Sequence, residues 1–148
     1  MYASHFRESS EDPCLKFKDV KNTYCNTTHG FALQYPESYT ARPNPYVDGE
    51  VSFMYGSHEI DHEIDVHAET GPNTCFLDLC NRAVQERETY NGVTWDFLGP
   101  ANYCDGDASG GGCDAKGVFR TKNKNGTIYI QSMSRTDTES ILKTFRFI

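Results

Sequence analysis

The chain has 148 residues, six cysteines and a formal net charge of -7 at pH 7. This length fits one domain with a sizeable core. The acidic balance argues against nucleic acid and anionic membrane surfaces as partners, because both need a basic patch. The sequence contains no apolar run long enough for a transmembrane segment.

The N-terminal residues are polar and end in Ser-Ser-Glu-Asp-Pro. We expect residues 1–17 to be a flexible lead and residues 18–148 to form a single domain, since no linker divides them. Met1 leads directly into a polar stretch, and no signal peptide is visible. A mature domain without its export signal has this appearance, and so has a cytosolic protein.

Alternating apolar residues predict three strands in the first half of the chain, at 31–35, 51–55 and 60–69. Pro36 ends the first of these strands, and Pro43 and Pro45 mark a loop before the second. The third strand has apolar residues on one parity and acidic residues or histidine on the other. The two sets are Ile60, Ile64, Val66 and Ala68, and Glu59, Asp61, Glu63, Asp65, His67 and Glu69.

The same region also supports a catalytic interpretation. On a helix, residues 58–62 form a His-Glu-x-x-His motif, with His58 and His62 as zinc ligands and Glu59 as the general base. Strict alternation, however, is typical of a strand with one solvated face. A third metal ligand is also missing from the familiar positions. The sequence therefore favours the strand and leaves a small zinc hydrolase as the alternative.

In the second half, an amphipathic pattern at 75–87 predicts a helix whose apolar face contains Phe76, Leu79 and Val84. Further strands are predicted at 93–97, 118–121 and 128–134, with Asn125-Gly126 as a hairpin turn. A C-terminal helix is predicted at 138–147, capped by Thr138. Its apolar stripe consists of Ile141, Leu142, Phe145 and Ile148.

The glycine-rich loop at 104–117 is a second candidate site. Asp105, Asp107 and Ser109, followed by Gly110, copy the first half of a calcium-binding loop, and Asp114 could add a further oxygen. Lys116 occupies the twelfth position, where a bidentate glutamate is expected. We therefore expect either weak calcium binding or a surface loop without a ligand, and no other cofactor.

Six cysteines scattered through loops are typical of disulfides formed in an oxidising compartment. Fifteen pairings are possible for six cysteines. Local pairing is the one we expect: Cys14–Cys25, Cys75–Cys80 and Cys104–Cys113. The second pair requires the predicted helix to begin after Cys75, since side chains five apart on a helix diverge. The expected location is extracytoplasmic: secreted, periplasmic or lipid-tethered.

Two segments carry a resemblance to a known family. The first, Gly30-Phe31-x-Leu33-x-Tyr35-Pro36, resembles the opening strand of PsbP-like and DcrB-like domains, and the second, at 141–147, resembles their Ile-Leu-x-Thr-Phe-x-Phe ending. The resemblance covers residues 18–148. It implies an α+β fold, with an antiparallel sheet between helices in an α/β/α sandwich. Members of this group are mostly non-enzymatic, so no catalytic residue is carried over.

The sequence therefore predicts an exported, disulfide-stapled domain of the PsbP-like type that binds a protein partner or supports an envelope assembly. The six cysteines, the acidic third strand and the glycine-rich loop depart from the family pattern. The zinc hydrolase with Glu59, His58 and His62 is the alternative function.

Overall fold

The computed structural model describes residues 12–55, 63–70, 82–103, 114–132 and 135–148. Within these ranges the chain forms ten β-strands, one α-helix (α1, Arg135–Leu142) and a 3-10 helix at Leu15–Phe17. Neither helix has the length and apolar character needed to cross a membrane. The strands are β1 (Thr23–Asn26), β2 (Phe31–Gln34), β3 (Tyr39–Pro43), β4 (Glu50–Tyr55), β5 (Glu63–Thr70), β6 (Glu86–Tyr90), β7 (Val93–Tyr103), β8 (Asp114–Asn123), β9 (Gly126–Ser132) and β10 (Arg146–Phe147).

The strands form two antiparallel sheets. The small sheet has the order β1-β2-β10, and the large sheet has the order β3-β4-β5-β9-β8-β7-β6. The large sheet thus consists of two meanders, β3-β4-β5 and β6-β7-β8-β9, whose last strands pair with each other. This seam between β5 and β9 runs from Ile64 opposite Ser132 to Thr70 opposite Gly126.

The core lies between the large sheet, the small sheet and α1. On β5, Ile64, Val66 and Ala68 are buried, while the residues of the other parity are partly exposed. This alternation confirms the predicted strand for Glu63–Thr70. The remaining core side chains come from both sheets and from the C-terminal segment, and include Phe31, Leu33, Phe53, Trp95, Phe119, Ile130, Ile141, Leu142 and Phe145.

The predicted α/β/α sandwich is wrong, because the described chain is mostly β-structure with a single α-helix. The helix predicted at 75–87 fails at its described end, where Glu86–Tyr90 is the edge strand β6. Pairing with β7 explains this result: Glu86 lies opposite Phe97 and Tyr90 opposite Val93. A second layer, formed by the small sheet, covers the core in addition to α1.

The C-terminal helix is shorter than predicted and begins earlier. It ends at Leu142, and Thr138 is a buried residue within it, not its cap. The Thr144 side chain helps to end the helix: its Oγ1 accepts from the Gln34 amide at 2.9 Å, and its single O–H can donate to the carbonyl of Gln34 or of Ile141, each at 3.0 Å. The chain then pairs with β2 as β10. Ile141, Leu142 and Phe145 are fully buried, as the predicted stripe requires.

A disulfide joins Cys14 to Cys25, which confirms one of the predicted pairs. It links the turn before the 3-10 helix to β1 of the small sheet. Phe17 is buried beside it, with the Arg146 guanidinium 4.4 Å from the centre of its ring. The predicted pairs Cys75–Cys80 and Cys104–Cys113 lie outside the described residues.

Candidate functional site

One face of the large sheet is polar over β3, β4 and β5, and from β9 onward it also carries a small buried apolar cluster of Leu98, Val118 and Tyr129. Side chains that alternate with the core residues point to this side, which we call the polar face. A row of directly opposed residues crosses four strands on it: Arg42 on β3, Ser52 on β4, Asp65 on β5 and Gln131 on β9. The acidic side predicted for the third strand contributes Asp65 to this row. Glu63, His67 and Glu69 lie on the same side of that strand.

The polar face contains a cavity of about 240 Å³, which we call the groove. It lies over β3, β4, β5 and β9 and so crosses the seam between the two meanders. Its volume suits a small polar group or one long side chain. The lining residues are Arg42, Asn44, Glu50, Val51, Ser52, Asp65, Val66, His67 and Gln131.

His67 lies between two carboxylates at one end of the groove. Its Nδ1 is 3.2 Å from Glu50 Oε1, and its Nε2 is 3.0 Å from Glu69 Oε1. A neutral imidazole donates from one nitrogen only, whereas the imidazolium donates from both. Both ring nitrogens lie within hydrogen-bond distance of a carboxylate, and these contacts fix the position of the ring.

Ser52 and Asp65 are bonded to each other. The Ser52 hydroxyl donates to Asp65 Oδ1 at 2.7 Å. An activated serine nucleophile would instead need its hydroxyl directed at a base such as an imidazole. The Ser52 hydroxyl hydrogen is therefore engaged by Asp65 and is not directed at an imidazole.

Two acceptor atoms of the polar face are buried without a hydrogen-bond partner among the described residues. They are Gln131 Oε1, in the wall of the groove, and Glu69 Oε2, beside His67. Gln131 is only 6 % exposed. A buried polar atom left unbonded costs free energy, so native proteins rarely keep one without a reason such as a ligand. The groove therefore needs donors.

A loop between β3 and β4, held by hydrogen bonds of Asn44, forms the rim of the groove. Asn44 Oδ1 accepts from the Tyr46 amide at 2.9 Å, and Asn44 Nδ2 donates to Glu50 Oε2 at 2.9 Å. Gly49 has φ +94, and a Cβ there would lie 2.6 Å from His29 Nε2, so glycine is required. The loop holds Tyr46 almost fully in solvent, at 93 % exposure.

Beyond the seam, the polar face continues as a row of ion pairs in which Arg120 is buried, Asp96 is partly buried and Arg87 is exposed. Arg120 Nη2 donates to Asp96 Oδ2 at 3.0 Å, and Arg87 Nε donates to Asp96 Oδ1 at 2.8 Å. Burial raises the pKa of the Asp96 carboxyl, but the two arginines outweigh it and hold the pKa below its ordinary value of 3.8. Tyr129, which lies between His67 and Arg120 in the register, has its pKa raised by burial.

Because the pKa of Asp96 is lowered on folding, its contribution to stability is complete above pH 3.8 and is lost as the pH falls through the folded pKa. We expect Asp96→Asn to lower the free energy of unfolding at about pH 6. The difference from the parent should shrink at about pH 3. Urea unfolding at both pH values measures this. Asp19→Asn makes the same charge change at an exposed residue and should leave the free energy of unfolding unchanged at both pH values. A pH-independent difference between Asp96→Asn and the parent would contradict the lowered pKa of Asp96.

Several predicted site residues lie outside the described ranges. These are His58, Glu59 and His62 of the zinc motif and Asp105, Asp107 and Ser109 of the calcium loop; Asp114 begins β8. Within the described ranges, no group of three or more His, Cys, Asp or Glu side chains is arranged to hold a metal ion. Weak calcium binding by the loop stays a prediction. The groove residues Arg42, Glu50, Ser52 and Gln131 were not predicted from the sequence.

Comparisons with known proteins identify a fold but no family. No family model matches the chain, and no curated protein matches it. The crystal structure of a protein from Bacteroides thetaiotaomicron is similar with a TM-score of 0.60 and 12 % identity, over 86 % of this chain and 48 % of that one. This chain therefore spans about half the length of the Bacteroides protein.

The solution structure of cyanobacterial PsbP (CyanoP) from Synechocystis is similar over nearly its whole length. The TM-score is 0.54 at 15 % identity, covering 85 % of this chain and 91 % of CyanoP. At this level of identity the likeness concerns the fold alone. The described chain therefore has a PsbP-like fold, as the resemblance in its sequence indicated.

Proposed function

We propose that this protein is a non-enzymatic binding module of an extracytoplasmic assembly and that the groove on its polar face is the binding surface. The observation that carries the proposal is the buried Gln131 side chain, whose Oε1 has no donor within the described structure although it lies in the wall of a cavity. A bound partner would supply that donor.

The rim of the groove supports a protein partner. Tyr46 lies in solvent on a loop whose backbone is fixed by hydrogen bonds within the loop, so little backbone conformational entropy is lost when a partner covers it. Tyrosine is among the residues that contribute most to binding free energy at protein interfaces. Val47, which is 40 % exposed, extends the apolar contact.

The disulfide and the fold support the location. Disulfides such as Cys14–Cys25 persist in oxidising compartments and are rare in the cytosol. The PsbP-like fold matches the non-enzymatic group that the sequence resembles. Both features agree with an assembly role outside the cytoplasm.

Site-specific photo-crosslinking tests the proposal. A benzoylphenylalanine replacing Tyr46 should give a discrete adduct with one protein in cells of the native host, and the same probe replacing Leu15 should not. Leu15 is 53 % exposed but belongs to the 3-10 helix beside the small sheet. The adduct should decrease when Asp65→Asn is added, and the purified partner should bind the parent protein in vitro.

Two outcomes would contradict this function. Equal adducts from Tyr46 and Leu15 would show that crosslinking reports accidental collisions. Absence of any adduct from Tyr46, with the parent protein folded and present at its normal level, would show that the groove rim is not a partner surface.

A further inference from the structure

We infer that the groove accepts a cationic side chain, an arginine or a lysine, from a basic segment of the partner. This inference rests on the proposed function and names the chemistry that the binding surface recognises. It follows from the supply of donors and acceptors in the groove, from the charge of the polar face around it and from the position of Arg42.

Three side chains of the groove that can donate are engaged within the protein. Asn44 Nδ2 donates to Glu50, the Ser52 hydroxyl donates to Asp65, and His67 faces carboxylates with both nitrogens. On the acceptor side, Gln131 Oε1 lacks a donor among the described residues. A ligand that brings N–H groups would satisfy this buried acceptor. Guanidinium and ammonium groups are pure donors, with five and three N–H bonds.

The charge of the surrounding face has the matching sign. Glu50 and Asp65 line the groove, and Glu63 and Glu69 flank it on β5. Among the described residues that line the groove, Arg42 is the only lysine or arginine. The whole chain carries a net charge of -7, so a basic segment is also attracted over a longer range.

Arg42 sets the orientation of the bound group. It lies on β3, two strands away from Asp65 in the same cross-strand row. Neighbouring strands are about 4.8 Å apart, which places the two backbones roughly 10 Å from each other. A cationic side chain is therefore placed at the Asp65 and Gln131 end, away from Arg42. Removing the Arg42 charge should strengthen the binding of a cationic ligand. The same change should not strengthen the binding of a purely apolar or anionic ligand.

A minimal probe tests this chemistry directly. We expect the blocked tripeptide acetyl-Gly-Arg-Gly-amide to shift the Gln131 side-chain amide signals saturably in nitrogen-15 correlation spectra, with a Kd on the order of millimolar. The neutral citrulline counterpart, which has nearly the same shape, should bind at least about tenfold more weakly, because hydrogen bonds between charged groups are the stronger ones.

Variants assign the effect to the groove. Asp65→Asn, which keeps an acceptor for Ser52, should weaken the arginine peptide by about tenfold. Gln131→Met, which keeps the volume and is followed through backbone amide signals, should also weaken it, whereas Arg42→Gln should tighten it. Asp19→Asn makes the same charge change on an exposed residue next to the small sheet and should leave the affinity unchanged. Well-dispersed spectra check that each variant is folded.

Equal binding of the arginine and citrulline peptides, or equal affinity for the parent and folded Asp65→Asn, would overturn the inference. So would the absence of any shift at Gln131. If the peptide fails while the Tyr46 adduct forms and depends on Asp65, the module binds a partner through other chemistry. If the adduct is also absent, the proposed function itself is wrong.

Discussion

Replacing Phe145 by alanine is expected to destabilise the domain by about 3–5 kcal/mol, the usual cost of truncating a buried phenylalanine. Phe145 is fully buried where the small sheet, the large sheet and the end of α1 meet. Its ring stacks on Phe31 at 5.4 Å and contacts Trp95 edge to face at 4.8 Å. A domain is stable by only about 5–15 kcal/mol, so the loss is a large share of the total.

A thermal melt measures this effect, which should lower Tm by roughly 10 °C or more in a chain of this size. Tyr46→Ala is the matched control, because it removes an aromatic ring that is 93 % exposed. Its effect should stay within about 0.5 kcal/mol. A Phe145→Ala melt that overlays the parent would show that the C-terminal segment is not part of the core.

Removing the Cys14–Cys25 disulfide, by Cys14→Ser together with Cys25→Ser, is expected to cost about 3 kcal/mol. The two cysteines are 11 residues apart, and closing a loop of that length restricts the unfolded chain by about this amount. The disulfide also holds the 3-10 helix and Phe17 against the small sheet. Urea unfolding under oxidising conditions should show a lower midpoint for the double variant.

The serine variant is preferable to reduction of the parent, because a reductant acts on every disulfide in the chain. The parent and the variant should keep the same m-value if only stability has changed. An unchanged midpoint in the double variant would mean that the bond adds nothing to the native state beyond the contacts of Phe17.

The strands of the core could be predicted from the sequence, and the edge strands could not. Strands β4 and β5 bury every second side chain, and β2 and β9 bury nearly all of theirs, so the apolar residues of these strands stand out in the sequence. Strand β6 has mostly exposed polar residues, so its sequence contains no alternation of that kind. The extended conformation of β6 is set by its pairing with β7 in a hairpin. Asn91 and Gly92 have φ 51 and 78, as a two-residue type I′ turn requires.

For the groove, the sequence could predict which side chains of β5 share one side of the strand, but not which residues of other strands lie beside them. The parity of Asp65, His67 and Glu69 correctly predicts an acidic face on one strand, although these side chains are only partly exposed. Gln131 lies more than sixty positions later, and only the register of β5 against β9 brings it opposite Asp65. Arg42 enters through the register of β3. Such pairings depend on the whole sheet, and a single sequence does not contain them.

The seam between the two meanders also determines when the groove can exist. Asp65 belongs to the first meander and Gln131 to the second, so neither half of the chain can form the site alone. Pairings between distant segments are slow to form, because the intervening chain must lose its freedom first. A partner that contacts both residues binds only chains in which the seam is closed, and its binding free energy adds to the stability of that state. Binding of such a partner would therefore select fully folded molecules and exclude chains in which only one half is formed.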